Sequence, residues 1–494
     1  MKHVLAIDQG TTGSTCLVVA EDGRVVGRGY REIPQHFPEP GWVEHDALDL
    51  LNRTVEAARE AIASAGVIPD AIGITNQRET VVLWDRATGE PVGRAIVWQD
   101  RRTAARCTEL AAQTATATAI GGQTGLVIDP YFSATKLEWM LSRGDTGARA
   151  RRGELLAGTV DSWLVWRLTG GAVHATDYTN ASRTMLFDTR AMEWSDELCD
   201  VFSVPRHLLP EARPSSGDFG VAGREWFGAS IPILGIAGDQ QAALFGQGCW
   251  NAGEGKNTYG TGAFLLLNLA QARPAPVGGL LTTVACDARG QPAYAMEGAI
   301  LVAGAAVQWL RDGLGVVTSA GETEGLARGI TSTNGVYFVP ALTGLGAPHW
   351  EPAARGTIVG LTRDTTRAHL ARAALEAMAY STADVLRLMC DRGGAAFECL
   401  RVDGGATEND WLMQFQADVL GVPVERPDVV ETTALGAAGL AGIAAGVWGS
   451  AEAFISTRTF DRFVPGSGAA AAKAGERGWA RAVRATLAWT RDVQ

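Results

Sequence analysis

Short apolar runs that stop abruptly at small polar residues set the hydrophobic pattern of this 494-residue chain. Residues 3–7 read as a strand, 9–14 as a turn and 16–20 as the returning strand, with Glu21-Asp22-Gly23 as the next turn. Leu48, Leu51, Val55, Ala58 and Ile62 then recur at helical spacing, which predicts an amphipathic helix over 47–65. Residues 71–75 and 231–238 are apolar enough for buried strands, and Asp239 is expected to cap a helix starting near Gln240. A β-rich stretch over 257–268 follows. Further on come a long helix over about 369–392, a strand at 400–402 and Gly404-Gly405-Ala406-Thr407 opening a helix to 420. Residues 434–445 read as a helix packed closely through small side chains.

Gly248, Gly253 and Gly255 interrupt any regular period, so the main boundary is expected near 246–255, dividing the chain into domains 1–247 and 248–494. The length agrees, because a single core rarely serves so many residues. Both halves carry a strand-turn-strand theme without close sequence identity, which points to an ancient duplication. At 46% hydrophobic and 20% charged residues, the composition is that of a globular protein with ample material for two cores. A net charge of -11 argues against nucleic acid or an anionic membrane surface as partner. The seven scattered cysteines form no CxxC pair, no apolar run approaches the roughly 20 residues of a membrane span, and the first residues run straight into a strand. A cytoplasmic protein acting on small molecules, without integral membrane association, is the expectation.

Asp8-Gln9-Gly10-Thr11-Thr12-Gly13 closes the first strand, Gly238-Asp239-Gln240 ends a later one, and Tyr259-Gly260-Thr261-Gly262 follows soon after. Such turns offer what a nucleotide phosphate with Mg²⁺ needs: a carboxylate, hydroxyls and uncovered backbone N–H groups. Neither a Walker A loop nor a GxGxxG turn is present. Asp8 reads equally as a turn residue, and Asp239 as an N-cap or as a proton acceptor for an attacking hydroxyl. Asn76-Gln77-Arg78-Glu79 is either a solvated strand end or an Arg/Glu pair reading neighbouring hydroxyls of a polyol. Trp98 and Tyr131 are core residues by default. Gly404-Gly405 with Asn409 serves an adenine-ribose group or ordinary turn geometry, and Thr407 with Asp410 is a capping-box pattern that needs no ligand.

The motifs AIDQGTTGS, PGWVEHD, GITNQRETVVLW, VWQDRR, GLVIDPYFSATK, TDYTNASRTMLF, GIAGDQQAALFGQ, NTYGTG, GLGAPHW, RVDGGATEND and ERPDVVETTALGAA occur in that order between Val4 and about Val447. In them the chain resembles the FGGY carbohydrate kinases. The resemblance implies an α/β fold of two actin-like, ribonuclease-H-like ATPase domains flanking a catalytic cleft, the first holding the polyol and the second the adenosine. It implies ATP-dependent phosphorylation of a terminal hydroxyl of glycerol to sn-glycerol 3-phosphate, in glycerol uptake and catabolism, with Mg²⁺. Asp239 would be the general base. Arg78, Glu79, Trp98, Tyr131, Asp239, Gln240 and Phe264 would line the glycerol pocket. Thr11, Thr12, Gly13 and Thr261 would hold phosphates, Gly304, Gln308, Gly405 and Asn409 would contact the nucleotide, and Asp8 with Asp239 would serve the metal. Family members form dimers or tetramers, so a homodimer or homotetramer is expected, although no interface is legible from spacing.

Two alternatives stay in view. A family kinase for another small polyol or ketose would keep the ATP residues and change the polyol wall, whereas a non-catalytic actin-like nucleotide switch would need only the phosphate loops. The chain also departs from the family pattern. Thr15 stands where members carry Arg, removing one cationic phosphate contact. Members inhibited by fructose 1,6-bisphosphate share a Gly-Gly-Thr-Arg loop before the Ile-Pro strand, but Phe227-Gly228-Ala229-Ser230 precedes Ile231 here. Inhibition by that ligand is therefore expected to be weak or absent, and clear inhibition at sub-millimolar effector in a steady-state assay would contradict this.

Overall fold

A computed structural model describes residues 1–394 and 397–491, so 395–396 and 492–494 of the expected second domain lie outside the described residues. In the first half, β1 (His3–Gln9), β2 (Gly13–Ala20) and β3 (Val25–Glu32) form an antiparallel meander. Helix α1 (Ala47–Ala65) follows, then β4 (Ala71–Asn76), parallel to β1, and β5 (Ile231–Gly238), parallel to β4. Helix α2 (Asp239–Gly246) leaves the end of β5. A short strand, Val221–Ala222, completes a six-stranded sheet at the β5 edge.

The second half repeats the plan. Strands β6 (Gly255–Tyr259), β7 (Ala263–Ala270) and β8 (Pro292–Ile300) are the meander, followed by α3 (Gly304–Asp312) and the long α4 (Arg367–Gly393). Then come β9 (Leu400–Asp403), α5 (Asp410–Leu420), β10 (Val424–Pro427) and α6 (Thr432–Ala444), with β6, β9 and β10 mutually parallel. The strand order β3-β2-β1-β4-β5 thus recurs as β8-β7-β6-β9-β10. Equal order and equal sense in both halves are what duplication of one unit produces, and this is the two-domain actin-like fold. Among the described residues no helix is long and apolar enough to cross a membrane.

Local chemistry explains the first-half elements. Asp46 caps α1 by accepting from the Leu48 N–H at 2.8 Å, and Gly66 ends it in the left-handed conformation at φ 67°. Leu50, Leu51, Val55 and Ala58 of α1 pack on Leu5, Ile7, Cys16, Val18, Ile72 and Ile74 from one face of the sheet. The other face, Val4, Ala6, Leu17, Val19 and Ala71, packs on α6. So α6, a helix of the second half, covers the sheet of the first. Against it lies α2, whose Leu244 meets Leu266, Ala285 and Ala295 of the second sheet.

These two helices touch through glycine. A β-carbon at Gly436 would run into the Ala242 carbonyl, and one at Gly246 into the Thr432 carbonyl. Close helix approach fixes the spacing of the two sheets, because neither backbone can retreat without opening the core on its far side. Gly436→Ala is expected to cost about 1–3 kcal/mol by overpacking. Gly93→Ala, where a β-carbon meets nothing within 4 Å, should stay within about 0.5 kcal/mol. Equal melting temperatures for the two variants would contradict the crossing described.

Candidate active site

Three of the polar motifs leave the carboxyl ends of adjacent parallel strands, where open α/β sheets bind ligands. Asp8 lies near the end of β1, Asn76 to Glu79 follow β4, and Asp239 follows β5. The register sets Tyr30, Thr15, Asp8 and Thr75 side by side across β3, β2, β1 and β4. Directly opposed residues share a face, and this face continues from Ala6 and Leu17, so the row looks toward the second half.

Asp239 is the first residue of α2, not its cap. Gly238 holds the cap position, and the Asp239 carboxylate accepts from the next N–H, that of Gln240, at 2.7 Å. The correction has a simple cause: β5 runs straight into the helix, so the turn lacks the extra residue that would place Asp239 outside it. From there Asp239 pairs with Arg78 Nε at 3.0 Å. Its charge and, before it, burial raise the Asp8 carboxyl to about 7.

The solvated-end reading of Asn76 to Glu79 fails, since all four are buried. Arg78 donates to Glu297 at 2.6 Å, to Gln241 at 3.2 Å and to the Tyr131 hydroxyl at 3.4 Å. Arg183 donates to Glu79 at 2.6 Å and to Glu297 at 2.9 Å. Glu79 sits at φ 60°, a conformation that non-glycine residues rarely take. Arg183 holds its carboxylate, and its carbonyl accepts from Ser133 Oγ at 3.0 Å. Burial alone would raise the Glu297 carboxyl, but Arg183 and Arg78 outweigh it and hold it at about 2.

Trp98 and Tyr131 are both half-buried; Tyr131 packs against the apolar core of the first half as expected, whereas Trp98 stands outside it. Trp98 Nε1 donates to Thr11 Oγ1 at 2.8 Å, and its ring meets the Tyr131 ring edge-on at 5.6 Å. Thr11 and Thr12 lie in the β1–β2 turn, closed by the Gly10 N–H bonding to the Gly13 carbonyl at 2.9 Å. Gln77 steadies that turn by donating to the Gly10 carbonyl at 3.3 Å.

Across the cleft, one face of the second sheet presents Lys256, Thr258, Phe264 and Glu297, as the cross-strand pairs of β6, β7 and β8 require. The Lys256 ammonium donates to Gln240 Oε1 and, at 2.6 Å, to Thr258 Oγ1. Burial pulls this ammonium down to about 8, with Asp403 and Asp239 opposing. Thr261 is exposed in the β6–β7 turn, and its carbonyl accepts from the N–H groups of Ala303 and Ala305 at 2.8 and 3.1 Å. That seats the turn against the start of α3. A β-carbon at Gly304 would come within 2.6 Å of the Gly260 carbonyl, and one at Gly404, at φ 89°, would strike the Tyr259 carbonyl. Thr261, Gly304 and the Gly404-Gly405 turn are therefore one surface. Gly405 faces open space, and Gln308 is exposed one turn beyond Gly304.

The capping box expected from Thr407 and Asp410 does not form. Gly405–Glu408 is a short 3₁₀ turn, the helix restarts at Asp410, and Asn409 caps it by accepting from the Leu412 N–H at 2.9 Å. Thr407 instead donates to the Gly404 carbonyl at 2.7 Å.

Three residues of this constellation escaped the sequence reading: Arg183, Lys256 and Glu297. Each had a signal. Glu297 is a lone carboxylate in an apolar strand, and a buried charge there demands partners.

The chain belongs to the FGGY family of carbohydrate kinases. Residues 3–246 match the family's N-terminal domain and 255–445 its C-terminal domain. It is 51% identical to glycerol kinase 2 of Thermotoga maritima over 99% of each chain. It is 53% identical to glycerol kinase of Bordetella parapertussis, covering 100% of this chain and 98% of that one. Among solved structures it resembles Plasmodium falciparum glycerol kinase with ADP, with a TM-score of 0.92, 35% identity and coverage of 99% and 98%. The fold is shared with xylulose kinase of Lactobacillus acidophilus, TM-score 0.88 at 20% identity over 99% of each chain.

Because Glu297 accepts hydrogen bonds from both arginines, Glu297→Gln should free Arg78 and misplace Asp239. Turnover is expected to fall about 10- to 100-fold, since small misplacement of reacting groups has effects of this size. ADP affinity, measured by calorimetry, should hold. Unchanged turnover would remove Glu297 from the site's support.

Proposed function

We propose that this chain transfers the γ-phosphoryl group of ATP to a terminal hydroxyl of glycerol, giving sn-glycerol 3-phosphate and ADP. The observation that carries this reading is Asp239, held 3.0 Å from Arg78 in a pocket walled by Trp98 and Tyr131, beside the Thr11 turn. Full-length identity of about half to glycerol kinases supports the choice of polyol. The proposed domains are 1–247 and 248–494, meeting at this cleft.

Arg78 would donate to one glycerol hydroxyl and Glu79 accept from another, Phe264 and Gln240 would bound the carbon chain, and Asp239 would take the proton of the attacking hydroxyl. A loose phosphoryl-transfer transition state asks mainly for alignment and charge stabilisation. Thr11, Thr12, Gly13 and Thr261 would supply phosphate donors, and Gly304, Gln308, Gly405 and Asn409 the nucleotide surface.

Mg²⁺ fits the end of the first sheet: Asp8 feels the charge of Asp239, and the buried Thr75 hydroxyl beside Asp8 has no partner. When bound there, the ion would neutralise phosphate charge. The pair Arg78 and Glu79, one donor and one acceptor beside the rings of Trp98, Tyr131 and Phe264, favours a three-carbon polyol over a ketose.

Asp239→Asn should lose most turnover, about 10²-fold or more as for loss of a positioned base, while keeping ATP binding. With ATP and a panel of polyols, glycerol should give the highest kcat/KM. Equal or higher kcat/KM with xylulose or ribulose would move the assignment to another sugar. Normal turnover of the Asn variant would reduce Asp239 to a structural residue.

A further inference from the structure

We propose that the Tyr30 hydroxyl is a phosphate-binding donor of the β1–β2 turn, held ready by the glycine at position 13. The proposal rests on the ATP-dependent reading above and adds to it a residue on β3, outside the turn itself.

Tyr30 occupies the same row as Thr15 and Asp8, directly opposite Thr15 on the neighbouring strand. Its side chain therefore rises from the face that carries the candidate metal carboxylate, on the cleft side of the sheet. Gly13 lies two residues before Thr15 and so on that same face, diagonal to Tyr30. The ring leans over it: a β-carbon at Gly13 would lie 2.6 Å from the Tyr30 hydroxyl. Gly13 has no left-handed backbone to explain its glycine. The space its missing side chain leaves is shared by the phenol and the Arg31 carbonyl, which a β-carbon would meet at 2.7 Å.

Tyr30 is 47% exposed although it is a large aromatic residue in a central stretch of strand. Among the described residues its hydroxyl makes no hydrogen bond, and only its carbonyl is engaged, by Arg31 at 2.7 Å. At the other end of the same row, the buried Thr75 hydroxyl is also without a partner. Two free hydroxyls flanking Thr15 and Asp8 in one row describe a surface that lacks an oxygen-rich ligand. From Gln9 to Cys16 the turn carries no lysine or arginine. Thr15 is too short to reach past its own strand, whereas the phenol of Tyr30 projects over the turn. A neutral O–H donor is a sound substitute for a cation here, because hydrogen bonds to ionised acceptors are the strong ones.

The test is Tyr30→Phe, which deletes one oxygen and keeps the ring. Calorimetry should show ADP and a nonhydrolysable ATP analogue binding about tenfold more weakly, the loss of one hydrogen bond to a charged group. Adenosine, which has no phosphate, should bind as to the parent, and the KM for glycerol should hold within about twofold, well under the tenfold step. Adding Thr15→Arg to Tyr30→Phe should restore nucleotide affinity, and the melting temperature should not move. A purely structural tyrosine would shift stability, or adenosine as much as ADP, and either result overturns the assignment. So does unchanged affinity for both nucleotides. If the parent phosphorylates no glycerol while Tyr30→Phe still weakens ADP, the reaction assigned above fails and Tyr30 stands. If the parent phosphorylates glycerol and the variant binds nucleotide normally, only Tyr30 fails.

Discussion

Four buried charges decide how the two halves of this protein meet. Arg78 and Glu79 follow β4, Arg183 comes from a turn after a short helix far along the first half, and Glu297 from the second sheet, all almost free of solvent contact. An isolated ion in such a place costs several kcal/mol, and the cost is recovered only when every partner is in position. Two arginines and two glutamates balance each other, and Asp239 is the fifth member, reaching the network through Arg78. The network is thus a condition on geometry more than a source of stability. It is met only when the second sheet lies at one distance from the first.

That distance is set elsewhere, by small residues. Gly73 and Gly235 let α6 lie directly on β4 and β5, and Gly246 and Gly436 let α2 lie directly on α6. The helix whose first residue is Asp239 is therefore clamped along its length. Strain at Glu79 becomes intelligible in this setting. A residue at φ 60° persists because Arg183 and Ser133 hold both its ends, and the neighbourhood holding them is itself immovable.

Much of this was legible along the chain wherever a local period or a local turn decides the structure. The boundaries of α1 and β5 are those that apolar spacing predicts, because Asp46 and Gly66 punctuate the helix and β5 is apolar to its last residue. What stayed hidden depends on register between distant strands. Nothing local in Lys256 announces that it faces Gln240, and nothing around Arg183 says which two glutamates it will join. Caps failed for a related reason: Thr407 and Asp410 have the spacing of a capping box, but the helix restarts at Asp410 with Asn409 as its cap, a choice made by the 3₁₀ turn before it.

The duplicated plan also explains why one half carries the open carboxylates. In the first sheet Asp8 ends β1 beside Thr75 of β4, and in the second Thr258 of β6 lies beside Asp403 of β9. Acid and hydroxyl have exchanged strands between the copies. Asp403 accepts on one carboxylate oxygen from Gln247 at 2.9 Å and from the Thr432 hydroxyl at the start of α6. In the corresponding place at the start of α2 stands Asp239, which can give Asp8 no hydrogen bond and raises its proton affinity instead. The same architecture thus yields a hydrogen-bonded acid in one copy and, in the other, a buried Asp8 that faces the charge of a second carboxylate. The corners therefore differ at the two strand positions and at the helix start, where threonine in one copy gives the acid a donor and aspartate in the other gives it a charge.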